Sequence, residues 1–155
     1  MVESAKEKTD RQLLELLNEL RVALPGAQVL LAFLLTAPFQ SHFTRATHVE
    51  RAVLFAGVML SATGVLFLMA PSVYHRMRWN KGEKEDVVHV GHRFFLMGTA
   101  CLALGMLCSV FLVADFLFGL PAAIAALAIL SALVAVTWWV LPLRRSHDPS
   151  IRASE

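Results

Sequence analysis

Two dipeptides concentrate the chemistry of this sequence, His75-Arg76 and His92-Arg93. An imidazole changes charge near neutral pH, and a guanidinium beside it adds a fixed positive charge and five hydrogen-bond donors. The first pair closes one long apolar run and the second opens the next, so antiparallel helices would bring both to the same depth. Glu19 and Arg21 reach that level from the amino-terminal side. Two histidines, three arginines and a glutamate at one interface could sense pH, hold an anionic lipid headgroup or gate protons. Arginines that snorkel as topology anchors, with histidines that titrate without consequence, explain the same residues more simply. Asp86, His89 and His92 have the spacing of metal ligands on one helical side, with His75 available from a neighbouring helix. They lie at helix ends, whereas a transmembrane haem needs histidines inside opposed helices, so neither metal nor any other cofactor is expected.

A second polar feature enters the first apolar run. Projected at about 100° per residue, Asn18, Arg21, Gln28, Ala32 and Thr36 fall within an arc of about 120°. Such a stripe can wall a hydrophilic path or meet a buried partner; hydrogen bonding between helices of the same bundle is the preferred expectation. Pro25 could shift its phase. Asp115 is the one carboxylate inside an apolar run, about one turn before its outer end, where it can reach water or pair with Arg45 or Arg51. No serine, histidine and acid constellation, phosphate-cradling glycine loop or zinc-protease signature occurs, which points away from an enzyme.

The elements that must position these residues are helices in a bilayer. Of 155 residues, 57% are hydrophobic and 17% charged, with a mean hydropathy of +0.60, well above the roughly 45 to 50% apolar content of soluble domains. The length suits one membrane domain without a separate soluble module. Basic residues flank apolar runs and do not interleave with aromatics, so nucleic acid is not an expected partner and the bilayer is. Residues 9–24 read as an amphipathic cytoplasmic helix, with Leu13, Leu16, Leu17, Leu20 and Leu24 on one side and a Thr9 to Gln12 capping box at its start. It should feed through a kink at Pro25 into the first of four spans, at about 22–40, 52–74, 93–118 and 121–143. The fold class expected is therefore all-α, a four-helix transmembrane bundle preceded by that amphipathic helix.

Gly119 and Pro121 make a tight hairpin of the last two spans. Twelve of the fourteen Lys and Arg residues fall on one face of this topology, leaving Arg45 and Arg51 on the other. That split places both termini in the cytoplasm, and Trp138 and Trp139 mark the same interface. The amino-terminal residues, with five acids and four bases up to Arg21, do not resemble a cleaved signal peptide. Cys101 and Cys108, about 10 Å apart on one helix, cannot bond to each other.

Small residues define the packing faces. Gly57, Ser61, Gly64, Leu68, Pro71 and His75 share one side of the second span, and Gly91, Gly98, Cys101, Gly105, Cys108 and Asp115 one side of the third. Ala125, Ala128, Ala132 and Ala135 do the same on the fourth. Lipid tails are as apolar as leucine, so helices associate through close backbone approach, and three such faces leave one available to a neighbouring subunit.

The run from Asn18 through Pro25-Gly26 to Gln28, then Phe33 to Phe39, Ala70-Pro71-Ser72 with Tyr74-His75-Arg76, and later His92-Arg93 and Asp115, resembles an uncharacterised actinobacterial membrane family, domain of unknown function family 6328. The similarity covers residues 11–143. It implies a four-span actinobacterial plasma-membrane protein and brings no activity with it. The sequence thus favours a non-enzymatic membrane protein that associates with its own copies or with a larger complex. A small oligomeric proton-coupled ion transporter or channel is the alternative, weakened by the lack of an acid near the midplane.

Overall fold

A computed structural model describes residues 5–78 and 84–140. Four helices make up almost all of them: α1 (Ala5–Thr36), α2 (His48–Arg78), α3 (Lys84–Phe118) and α4 (Leu120–Ala135). No strand occurs among the described residues. Short 3-10 turns at Ala37–Phe39 and Ser41–Arg45 join α1 to α2, and α4 runs into a wider π turn over Val136–Val140. Each helix, α1 together with the 3-10 turn after it and α4 together with its π turn, supplies a stretch long and apolar enough to cross a bilayer: Leu17–Phe39, His48–Val73, Val90–Phe118 and Leu120–Trp138. The shortest has 19 residues, which at 1.5 Å per residue is about 28 Å, close to the hydrocarbon thickness. Large apolar side chains such as Phe33, Phe55, Leu66, Leu96 and Leu133 point outward, as they would toward lipid. The architecture fits a multi-pass membrane protein.

The amphipathic segment is not a separate element. One helix runs from Ala5 to Thr36 with Pro25 inside it, so the Thr9 to Gln12 segment lies within the helix and not at its start. Proline removes one N–H and crowds the preceding turn, but a helix packed along its length tolerates this, the more so in a membrane. The packing is visible in the burial: among the described side chains of α1, Leu20, Ala27 and Leu34 are the buried ones, spaced seven apart across Pro25. The phase of the helix therefore carries through the proline.

The same repeat organises the partners of α1. On α2 the buried positions are Leu54, Gly57, Ser61, Gly64, Leu68 and Pro71, alternating three and four apart; on α3 they are Gly91, Gly98 and Gly105. A seven-residue repeat keeps a seam facing its neighbour when helices wind left-handedly, the usual packing in membranes. The small-residue faces expected on α2 and α3 meet each other. A methyl group on Gly64 would lie 2.8 Å from Leu102 Cγ and 3.0 Å from the Gly98 carbonyl oxygen, and one on Gly98 would lie 2.9 Å from Leu68 Cγ. Gly57 faces Cys108 and Gly105 faces Ser61, so the helices run antiparallel at backbone contact. Phe67 and Phe94 add a tilted ring contact with centroids 5.7 Å apart. Against this pair α1 lays Leu20 and Ala27, forming a core with Leu68 that Leu17, Leu24, Val65, Phe95 and Leu102 surround.

Contacts divide the chain into two units, Met1–Cys108, which holds this three-helix packing, and Ser109–Glu155. In the second unit Gly119 alone separates α3 from α4. Its φ of +83° is a conformation that a side chain would strain. Its N–H donates to the Asp115 carbonyl at 2.8 Å, and its own carbonyl accepts from Ala122 and Ala123 at 3.1 and 3.2 Å. The link thus satisfies its backbone internally, although the flanking Phe116, Leu117, Phe118 and Leu120 are all apolar.

Candidate functional site

The expected edge cluster sits at one end of the first unit. The antiparallel register that sets Gly64 and Leu68 against Gly98, carried onward, places the backbone of His92-Arg93 within about one turn of His75-Arg76. Leu20 shares a core with Leu68, seven residues before His75 on α2, so Glu19 and Arg21 stand one to two turns from the level of the two His-Arg pairs. The described side chains do not meet. Glu19, Arg21, His92 and Arg93 are all exposed, and no hydrogen bond or ion pair joins them among the described residues. The side chains of His75, Arg76, Asp86 and His89 lie outside the described residues, and so does the metal-ligand spacing they enter. Nearby on α1, Arg11 and Glu15 approach to 3.9 Å as an exposed pair one turn apart.

The α1 stripe takes an unexpected direction. Asn18, Arg21, Gln28, Ala32 and Thr36 are exposed, as is Pro25, which lies on the same line. They occupy the side of the helix opposite the Leu20, Ala27 and Leu34 seam. The preferred expectation, hydrogen bonding inside the bundle, is not met: Thr36 donates its hydroxyl to Phe33 O at 2.8 Å within its own helix, and Asn18 and Gln28 make no hydrogen bond among the described residues. The reason is the seven-residue seam: Leu20, Ala27 and Leu34 face the bundle, and the polar residues opposite them face outward together with Val22, Val29 and Phe33. Leu20, Ala27 and Leu34 carried that signal in the sequence, but only extending the count across Pro25 reveals it.

Asp115 is half-buried near the end of α3, and its carboxylate makes no hydrogen bond or ion pair among the described residues. Within the first unit, Arg51 donates to Thr44 O at 3.4 Å.

Two polar features go beyond the reading of the sequence, which counts Ser61 only among the small packing residues. Thr47 and Glu50 form a reciprocal capping box at the start of α2: the Thr47 backbone N–H and hydroxyl donate to Glu50 Oε2 at 2.6 and 2.8 Å, and the Glu50 N–H donates to Thr47 Oγ1 at 3.2 Å. The Thr-x-x-Glu spacing announces it. The second is Ser61, fully buried between α2 and α3 with no hydrogen-bond partner for its hydroxyl. By contrast Thr99 donates to Phe95 O at 2.9 Å and Thr137 to Leu133 O at 2.8 Å, each within its own helix.

Residues 2–142 match a family described as "Family of unknown function (DUF6328)". The chain belongs to this family. Its match takes in α1, α2, α3 and α4, and with them the edge residues, the polar stripe and Asp115. No curated protein and no solved structure matches the chain. DUF6328 membership therefore joins the chain to relatives without lending it a reaction, and the site has to be read from its own geometry.

Proposed function

We propose that this DUF6328 protein is a non-enzymatic plasma-membrane protein that works by associating with copies of itself or as an accessory subunit of a membrane complex. One observation carries the reading: α1 packs Leu20, Ala27 and Leu34 on the bundle and turns amide, guanidinium and hydroxyl groups outward, beside Val22, Val29 and Phe33, within or beside its span. Polar groups facing hydrocarbon lack the partners that water would give them, so a neighbouring protein surface stabilises them. The α2 and α3 small faces are already used on each other, which leaves the α1 stripe and the exposed Ala125, Ala128, Ala132 and Ala135 side of α4 for neighbours.

The twelve-to-two distribution of Lys and Arg supports a cytoplasmic location for both termini. The exposed Arg21, His92 and Arg93 then lie at the inner surface, where they suit anionic lipid headgroups. Purification of the full chain from native membranes in mild detergent, with mass identification of every retained protein, tests the proposal. A defined oligomer or a stoichiometric membrane partner is the expected result; a stable monomer with nothing bound refutes it.

The exposed stripe also favours a second reading, an oligomer in which Asn18, Gln28 and Thr36 line a route for protons or small ions. Flux in proteoliposomes that survives Gln28→Leu, His75→Ala and His92→Ala would rule these residues out as the path, and a protein without flux would rule out the reading.

A further inference from the structure

Resting on the self-association reading, we infer that the outward stripe of α1 is a homodimer contact in which α1 of one copy lies beside α1 of a second, with Gln28 facing Gln28 of the second copy. Leu20, Ala27 and Leu34 point into the bundle, and Asn18, Arg21, Gln28, Ala32 and Thr36 are exposed on the opposite side. Gln28 lies within the Leu17–Phe39 span, eleven residues before its end, so at 1.5 Å per residue its amide is about 16 Å from the outer edge. That is near the middle of a hydrocarbon layer about 30 Å thick, where water is scarce. Two amide donors and an acceptor at that depth need a protein partner.

A second copy meets that need without further assumptions. Every copy inserts by the same charge asymmetry, so copies related by a twofold axis along the membrane normal present the same residue at the same depth. A primary amide is donor and acceptor at once, and two Gln28 side chains satisfy each other across such an axis. A partner of different sequence would need its own polar group at that depth. Ala32, one turn on, is small enough for the backbones to approach. Toward the cytoplasmic end, Asn18 and Arg21 are one turn apart, so the carbonyl of Asn18 on one copy can accept from the Arg21 guanidinium of the other. Pro25 has no N–H to give the Arg21 carbonyl, which places a further acceptor on this side of the helix. Charge, amide pairing and a small residue thus converge on one face.

Cysteine cross-linking in membrane vesicles containing the full chain tests the contact. Cys101 and Cys108 are replaced by alanine, and single cysteines are placed in turn at positions 26 to 33 of α1 and at Ala128 of α4. Oxidation should give disulfide-linked dimer most readily at Gln28→Cys and Ala32→Cys and least at Ala27→Cys and Leu30→Cys, which point toward the bundle. In a separate dilution series followed by energy transfer between labelled copies, Gln28→Leu should weaken association roughly three- to twentyfold, the worth of an interhelical hydrogen bond in a membrane, while Gln28→Asn keeps most of it. A cross-linking maximum at Ala128→Cys on α4 with none on α1 overturns the contact while leaving self-association standing. Cross-linking of Gln28→Cys to a different protein overturns the second copy as occupant and leaves the accessory-subunit reading. Chains that remain monomeric in both assays overturn the contact and self-association together.

Discussion

Ser61 and Gly105 should behave as a coupled pair whose single substitutions have opposite signs. The Ser61 hydroxyl is fully buried and unpartnered, and a methyl group added at Gly105 would collide with it. When α2 is separated from α3 in the membrane, that hydroxyl can bond back to a carbonyl of its own helix, as Thr99 and Thr137 do. Packing the helices leaves it unbonded, so Ser61→Ala removes a desolvation penalty and should stabilise the α2–α3 contact by about 1 kcal/mol. Gly105→Ala meets the hydroxyl, then the Gly57 carbonyl oxygen at 3.3 Å and the Ser61 nitrogen at 3.4 Å. Overpacking of this kind costs about 1 to 3 kcal/mol. In the double variant the collision with the hydroxyl disappears and only the milder backbone contacts remain. The double change should therefore be less destabilising than the sum of the singles, by about 1 kcal/mol or more. Reversible unfolding of the full chain by denaturing detergent in mixed micelles, read by circular dichroism or by labels on α2 and α3, measures all four corners of the cycle. Effects that add within about 0.5 kcal/mol, or a destabilised Ser61→Ala, would refute the account of this contact.

The remaining glycines grade the same idea. Gly64→Ala meets Leu102 Cγ at 2.8 Å and the rigid Gly98 carbonyl at 3.0 Å, so it should lower the unfolding midpoint more than Gly57→Ala, whose nearest neighbour is Cys108 Cβ at 3.1 Å. Gly26→Ala meets nothing within 4 Å and should raise stability by about 0.5 to 1 kcal/mol, as expected of an open helical glycine; a loss in the same assay would contradict that. Gly119→Ala forces a side chain into φ +83° and should cost about 1 to 3 kcal/mol, seen as faster proteolysis beside the α3–α4 link in detergent. Thr47→Ala removes both arms of the Thr47 hydroxyl at the α2 cap and should cost about 0.5 to 2 kcal/mol, with earlier hydrogen exchange of the first turn of α2 as the readout.

Hydropathy made the four apolar helices legible because a bilayer imposes length and composition that no soluble helix needs to meet. The faces of α2 and α3 were legible for a related reason: Gly57, Gly64, Gly98 and Gly105 have no side chain to offer lipid, and their spacing suits only close approach. Pro25 concealed the most. Read locally, it divides an amphipathic helix from a span; read along the seven-residue line of Leu20, Ala27 and Leu34, it is a passenger on one continuous helix. The capping box shows the converse failure. Thr9-x-x-Gln12 and Thr47-x-x-Glu50 carry the same signal, and it becomes a cap only where the chain leaves helical geometry, which local sequence does not decide. For the edge residues only the common level of the two His-Arg pairs follows from the helix register; contact depends on the rotation of each helix about its axis, and Glu19, Arg21, His92 and Arg93 are turned outward.

That rotation separates what holds the bundle together from what it offers to others. The seams of α1, α2 and α3 draw on leucine, alanine, serine, proline and glycine, none of them charged, so their geometry is insensitive to pH and salt. The charged and amide side chains described in the first unit instead lie on α1, toward the starts of α2 and α3 or on the short link between α1 and α2, and none of them is buried. Apart from Glu50, which closes the α2 cap, substituting them should leave the unfolding midpoint nearly unchanged while altering association, whereas seam substitutions should alter the midpoint first and association only as a consequence. A Gln28→Leu chain that unfolds like the unaltered protein but associates less would place the stripe among groups retained for a partner. A Gln28→Leu chain that unfolds early would place Gln28 in the fold itself, which its outward position opposite Leu20, Ala27 and Leu34 argues against.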